Sequence, residues 1–501
     1  MIVAQPAKAD WYEASSKHFV IYADDREKDV RRFAENLERF HSALKLVTGR
    51  PYEEPSPSNR VTIYVVGSSR DIKRLVGDKR SSVAGFYIPR AGGSLAFVQD
   101  IKFKNGYPHF STTVLLHEYA HHFLTSTSRY ALPQWMNEGA AEFVAAASFE
   151  RDGGMYIGRA AQHRAGDFAY AEDVSVEQLF DYELYLQNRS NRFDTFYARS
   201  WLLFHYLFFS EERTGQMTNY QLAVANGAEP VAAAREAFGD FDQLQRELDR
   251  YLKNRVPTFV LSPDMTTVGE ITIRELSNGE AEAMPLIIQS KRGVNEEQAA
   301  ELVVEVREVA EEFPQDAAVL AALAEAEYDS GNLDAAIAAA DRALAIDPTQ
   351  KNALIQKGYA LFAKADDAVD QDTAFELALE PFTKLNALEN DHPLPLIYYY
   401  RSFINRGEAP PENARLAMEH ASALAPFDHS LAMNVAIMQA NEGKIAIASR
   451  TLAPVASAPH GGRRADFAKQ FRTALANAEE GKPFRFSSIR TETVEAEDAS
   501  E

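Results

Sequence analysis

Val114-Leu115-Leu116-His117-Glu118-Tyr119-Ala120-His121-His122-Phe123-Leu124 places an H-E-x-x-H arrangement inside a helical apolar pattern. On a helix, residues four apart lie on one face with Cβ atoms about 5–6 Å from each other. His117 and His121 can then share one tetrahedral metal, and Glu118, one residue along the turn, can reach a water on it. The chain has no cysteine, so a transition metal must be held by His, Asp or Glu. Bulk water is a poor nucleophile, and zinc brings its pKa from about 15.7 to roughly 7. A glutamate placed beside such a water takes its proton and passes it to a leaving amine. The same five residues also arise by chance as a polar helix face, so their surroundings decide the reading.

Downstream the chain reads Leu132-Pro133-Gln134-Trp135-Met136-Asn137-Glu138-Gly139-Ala140-Ala141-Glu142-Phe143. H-E-x-x-H followed by W-x-N-E-G-x-A resembles the gluzincin metallopeptidases, and among them the peptidase-MA-like members. The resemblance spans roughly 11–255 and is specific at these two motifs. It implies an α+β zincin-like catalytic domain binding Zn2+ through His117, His121 and Glu138, with Glu118 as general base. Glu142, one turn after Glu138, matches an acidic position that orients a histidine ligand. One departure is the gap: 16 residues separate His121 from Glu138, fewer than in the thermolysin-like and aminopeptidase-N-like branches, whereas 20 separate His121 from Glu142. The Asn-Glu-Gly context favours Glu138 as the ligand.

Phe196-Tyr197-Ala198-Arg199-Ser200-Trp201 resembles the Y-x-x-S segment of the same proteins. That makes Tyr197 the candidate donor to the developing oxyanion, with His205 in reserve. The strand Ser94–Val98 is, by the same resemblance, the edge strand that pairs with an extended substrate. His122 is turned about 100° from its neighbour on the helix and is not read as a ligand. The residues after His121 lack the Gly and third His of metzincins. The Gly-x-Met-Glu-Asn motif of the aminopeptidase branch is also absent, which favours an endopeptidase.

Upstream, His18–Tyr22, Arg60–Val66, Val83–Ile88 and Ser94–Val98 read as strands and Asp29–Val47 as an amphipathic helix. These segments make a small N-terminal sheet in an α/β lobe reaching to about residue 105. From Thr112 to about Asn254 the pattern is helical. The stretch 256–279, with Pro257, Pro263, a short β-like stretch at Ile271–Ile273 and polar turns, reads as a linker, so the C-terminal part of the chain is expected to be separable. In that part Pro314, Pro348, Pro393, Pro426 and Pro459 are spaced 34, 45, 33 and 33 apart, close to the tetratricopeptide period. Ala317–Pro348, with Leu320, Ala324, Tyr328, Ala336, Ala340 and Ala343, resembles one such repeat. The next unit carries about 11 extra residues around Asp366–Asp372. The expectation for 280–485 is therefore an all-α tetratricopeptide solenoid binding a protein partner, followed by an acidic disordered tail over 486–501.

With 501 residues the chain needs more than one core, and a net charge of -21 argues against nucleic acid as a partner. No run is apolar enough for a transmembrane helix. Ala7-Lys8-Ala9 has the small-x-small form of a processing site, making 1–10 a possible signal-peptide remnant. A periplasmic or secreted location is then expected, and a cytoplasmic one if that site is not used. The functional expectation is a zinc peptidase acting on a peptide or protein substrate. Its rival is an interaction scaffold that retains a peptidase fold.

Overall fold

The computed structural model describes residues 11–484 except 79–82, 105, 129–130, 191 and 459. The segment 1–10 and the acidic tail 486–501 lie outside the described residues.

The first part of the chain builds β1 (Tyr12–Ser15), β2 (Phe19–Ala23), α1 (Glu27–Thr48), β3 (Val61–Val65), α2 (Ser69–Val76), β4 (Gly85–Ile88) and β5 (Leu95–Val98). Next come the two helices of the metal motif, α3 (Phe110–Thr127) and α4 (Gln134–Ala145). α1 starts with Glu27 and Asp29 in its first turn and ends with Lys45 and a left-handed Gly49, charges and cap that both suit the helix dipole.

Six strands form one sheet in the order Thr272–Glu275, β1, β2, β3, β5, β4. β2, β3 and β5 run parallel, and the strands on either side of them are antiparallel. Alternation along the strands divides the side chains between two layers. Ile21, Ile63, Ala96 and Val98 pack with Phe33, Leu37 and Phe40 of α1 and with Leu115 and Tyr119 of α3. Tyr64, Leu95 and Phe97 face the other way, against Ile72 of α2 and Met284 and Ile288 of the helix Asn278–Arg292. The sheet is therefore covered on both faces, and α3 is held against it from one side.

Two expectations are corrected here. The stretch 256–279 is no linker: Phe259–Leu261 pairs with Met155–Ile157, and Thr272–Glu275 pairs with β1. The Leu276 amide then donates to the Trp11 carbonyl at 2.9 Å, and Leu276 itself joins the apolar layer beneath the sheet. β5 is also not an edge strand, since it lies between β3 and β4, and the edge on that side is β4. Leu95–Val98 is buried at every position, as a strand covered on both faces must be.

After Asn278–Arg292 the chain continues as antiparallel helix pairs. Ala317–Asp329 with Leu333–Ile346 is one pair, Lys351–Asp366 with Gln371–Leu388 the next. The extra residues of the second pair lengthen both helices, to 16 and 18 residues against 13 and 14, rather than forming a loop. Pro393–Asn405 with Glu412–Leu424, His429–Asn441 with Ile445–Ala456, and a final helix Gly462–Ala476 complete a tetratricopeptide-like array. Among the described residues no helix is long and apolar enough to cross a membrane.

The array does not stand apart from the sheet. Glu389 accepts from the Ser58 amide at 2.8 Å, the Leu424 carbonyl from Asn59 at 3.0 Å, and Asp428 from the Ala91 amide at 2.9 Å. Phe427 packs on His122 with ring centres 4.4 Å apart. Separability is corrected by the same contacts.

Candidate metal centre

α3 presents His117 and His121 on one face, and α4 brings Glu138 to them. The two Nε2 atoms are 3.0 Å apart, and Glu138 Oε2 lies 3.3 Å from that of His117 and 3.4 Å from that of His121. Three ligands about 2.0–2.1 Å from a tetrahedral ion stand roughly 3.3 Å from each other. Glu138 is 2% exposed, and its Oε2 makes no hydrogen bond of normal geometry among the described residues. A buried carboxylate oxygen left without a donor is costly, and a cation at the common focus of these three atoms would relieve it. The donor set of two imidazoles and a carboxylate, with no thiolate, suits zinc.

The far sides of both imidazoles face a polar partner, and of the two only His121 makes a hydrogen bond of normal geometry there among the described residues. His121 Nδ1 lies 3.0 Å from Asn137 Oδ1, and His117 Nδ1 lies 3.3 Å from Glu142 Oε1. A neutral imidazole with its proton on Nδ1 would present its Nε2 lone pair to a metal, and His117, raised well above its usual value without an ion, would release its Nε2 proton on ligation. Glu142 is fixed in turn by His163 Nε2 at 2.6 Å and by Arg164, whose Nε donates at 3.0 Å and whose Nη2 donates as well. Burial alone would raise the Glu142 carboxyl, but His117, His163 and Arg164 outweigh it and hold it well below the usual range. Glu138 is likewise lowered, burial being overcome by the neighbouring imidazoles of His121 and His117. For His117 burial acts downward, yet Glu138 and Glu142 lift it to about 10. The acidic pair thus stays ionised and supplies the negative charge that a divalent ion requires.

Glu118 is half-buried and among the described residues makes no hydrogen bond or ion pair. Tyr197 stands at the start of the helix Phe196–Phe209, its ring 6.4 Å from that of His117 and beneath the Arg164 guanidinium at 4.8 Å. Burial and the Glu138 charge keep its hydroxyl protonated. Gly139 explains how that helix comes so close: a Cβ there would lie 2.4 Å from the Ser200 carbonyl oxygen and 2.9 Å from Phe204 Cβ. The Asn-Glu-Gly segment therefore supplies the Glu138 carboxylate and the bare backbone on which the Tyr197 helix rests.

His205 has no place at this centre. It is fully buried, with Nδ1 2.9 Å from the Tyr251 hydroxyl and Nε2 2.9 Å from the Gly158 carbonyl, so both nitrogens are used structurally. His122 turns to the Tyr87 hydroxyl at 2.7 Å.

Three residues near the centre carry no motif that would have found them. His163 and Arg164 come after the strand Met155–Ile157. His460 comes from the turn between the last two helices of the array. It is half-exposed, with Nε2 3.6 Å from Glu138 Oε1, and one ligand atom each from His117, His121, Glu138 and His460 lie within 4.8 Å of one another.

No family model matches the sequence, and no curated protein does. Among solved structures, a thermophilic TPR protein of Thermus thermophilus is similar at 16% identity and a TM-score of 0.31, over 38% of this chain and 96% of that one. MamA from Desulfovibrio magneticus is similar at 16% identity and a TM-score of 0.26, over 39% and 93%. Yeast Tom70 is similar at 13% identity and a TM-score of 0.28, over 73% and 72%.

Proposed function

We propose that the chain is a zinc-dependent peptidase of the gluzincin kind, its 11–255 part a zincin-like catalytic unit and its helical array a binding module for a protein substrate or partner. The observation that carries this reading is the buried, donor-less Glu138 Oε2 facing two Nε2 atoms at ligand spacing. His117, His121 and Glu138 would hold the ion. When bound, it supplies a water acidic enough to ionise near neutral pH.

The remaining chemistry belongs to the chain. Glu118 takes the proton from the attacking water and returns it to the leaving amine. The Tyr197 hydroxyl donates to the carbonyl oxygen as negative charge develops there. The outer edge of β4, beside α3, offers backbone groups to an extended peptide. Glu142 and Asn137 keep the two imidazoles in the tautomer and orientation that ligation needs.

A second reading is favoured by the extent of the array, whose helix pairs run from 278 to 476 and match the architecture of interaction scaffolds. In that reading the metal unit is retained without turnover. Elemental analysis of wild type and His121→Ala tests the first step. The proposal predicts one zinc per wild-type chain and a large loss in the variant. A wild-type chain that binds no zinc leaves the scaffold reading in place.

A further inference from the structure

The end of the repeat array reaches the metal centre through the turn that precedes its last helix. The turn joining Ile445–Ala456 to Gly462–Ala476 lies over α4, where the Ala458 carbonyl accepts from Gln134 Nε2 at 3.2 Å. A few residues on, Lys469 Nζ is 3.6 Å from Glu183, a second tie between the last helix and the metal half. Gly461 makes the turn tight, since a Cβ there would meet Ala465 Cβ at 2.5 Å and Ala458 Cβ at 3.1 Å. The side chain that this turn delivers is His460. Its ring lies parallel to that of Tyr197 at 6.4 Å and edge-on to that of His121 at 5.9 Å. It therefore stands in the space between the ligands and the candidate oxyanion donor, where a substrate carbonyl would have to enter.

Resting on the zinc reading above, we propose that His460 is a fourth protein ligand, so that the array in this conformation fills the position a catalytic site keeps for water. Structural zinc sites use four protein ligands, whereas catalytic ones use three and leave one place open. His117, His121 and Glu138 are already at ligand spacing, while the ligand atoms of the four-residue group spread to 4.8 Å. Ligation at about 2.1 Å needs separations of roughly 3.4 Å, so the His460 ring must close by a further 1 Å or so. A half-exposed side chain on a surface turn can make that movement by rotation. The step breaks no covalent bond: the neutral imidazole lends its Nε2 lone pair in place of a water. The chain is then a latent enzyme, and a partner or substrate that draws Ala458 and His460 away from Gln134 and Glu138 switches it on.

The test counts imidazoles. X-ray absorption on the zinc-loaded full chain is expected to show three imidazole ligands in wild type, and two with an added oxygen in His460→Ala. Hydrolysis of a fluorogenic peptide mixture is expected to rise in His460→Ala by about tenfold, the gain when a closed form holding roughly nine molecules in ten is released. Gln134→Ala, which frees the turn but keeps the imidazole, should raise the rate in the same direction. Two imidazoles in wild type and variant alike would overturn the proposal while leaving the three-ligand site intact. A lower rate in His460→Ala with an unchanged ligand count would overturn it too and make His460 a group that acts on substrate. Absence of zinc from the wild-type chain would remove the reading on which the proposal rests.

Discussion

Glu142 meets His117 from behind: its Oε1 lies 3.3 Å from Nδ1, while Nε2 of the same ring lies 3.3 Å from Glu138. One imidazole is thus held between two carboxylates with different duties. Under the proposed zinc reading Glu138 touches the ion and Glu142 fixes the ring. Glu138→Ala should abolish stoichiometric zinc. Glu142→Gln, which keeps a partner for Arg164, should weaken affinity by about 10- to 100-fold. Chelator competition measures both, and the opposite ranking would make Glu142 the ligand.

Gly139 predicts a stability effect. A methyl group placed 2.4 Å from the Ser200 carbonyl must push the helix Phe196–Phe209 away from α4. Overpacking of this kind costs about 1–3 kcal/mol. Gly139→Ala should show that loss in urea unfolding and should also weaken zinc binding, because Glu138 adjoins the displaced backbone. An unchanged midpoint would mean that the two helices are not in close contact.

His41 predicts acid sensitivity away from the metal. It is 2% exposed, stacked on His18 at 3.6 Å and 2.7 Å from the Tyr119 hydroxyl. Burial, with smaller contributions from His18, Lys45, His122 and Lys17, lowers it to about 2. The folded value lies below the unfolded one of about 6.5, so the folded state binds fewer protons and this stability is complete above pH 6.5. It is lost as pH falls, by about 1.4 kcal/mol per unit. Between pH 7 and pH 5, wild type should lose about 2 kcal/mol more than His41→Gln in denaturant unfolding. Equal losses would show that His41 charges without penalty.

The paired strands of 256–279 predict where the chain can be cut. A fragment ending at Val256 lacks one of the two partners of β1 and leaves Tyr64, Leu95 and Phe97 without Met284 and Ile288. It should bind an apolar dye and melt without a cooperative transition, whereas a fragment ending at Arg292 should melt cooperatively. A sharp transition in the shorter fragment would restore the linker reading.

The cluster of His117, His121 and Glu138 was legible because it sits on two helices close in sequence, and the spacing of His117 and His121 follows from helix geometry alone. The position of Glu142 close to His117 was legible for the same reason. The Thr272–Glu275 strand was legible only as a short β-like stretch at Ile271–Ile273, and being short and mostly exposed it carries nothing local to show that it pairs with β1. β5 could have been placed better: four consecutive apolar residues mark a strand covered on both faces, hence an interior one. Nothing local marks His460, which meets His121 across 339 positions of chain through the curvature of a helical array. The period reveals that such an array exists, and the accumulated rotation between its helix pairs decides what its end will touch.

The central claim is that Glu118 activates water at a zinc held by its neighbours. It is tested most directly by the peptide-hydrolysis rate of Glu118→Gln, made in the wild-type and His460→Ala chains with zinc content verified. Glu118 is not among the ligand set, so zinc should remain stoichiometric while the rate falls by about 10²–10⁴-fold, the usual loss for a general base. A zinc-loaded Glu118→Gln chain that hydrolyses peptide as fast as its parent would contradict the account.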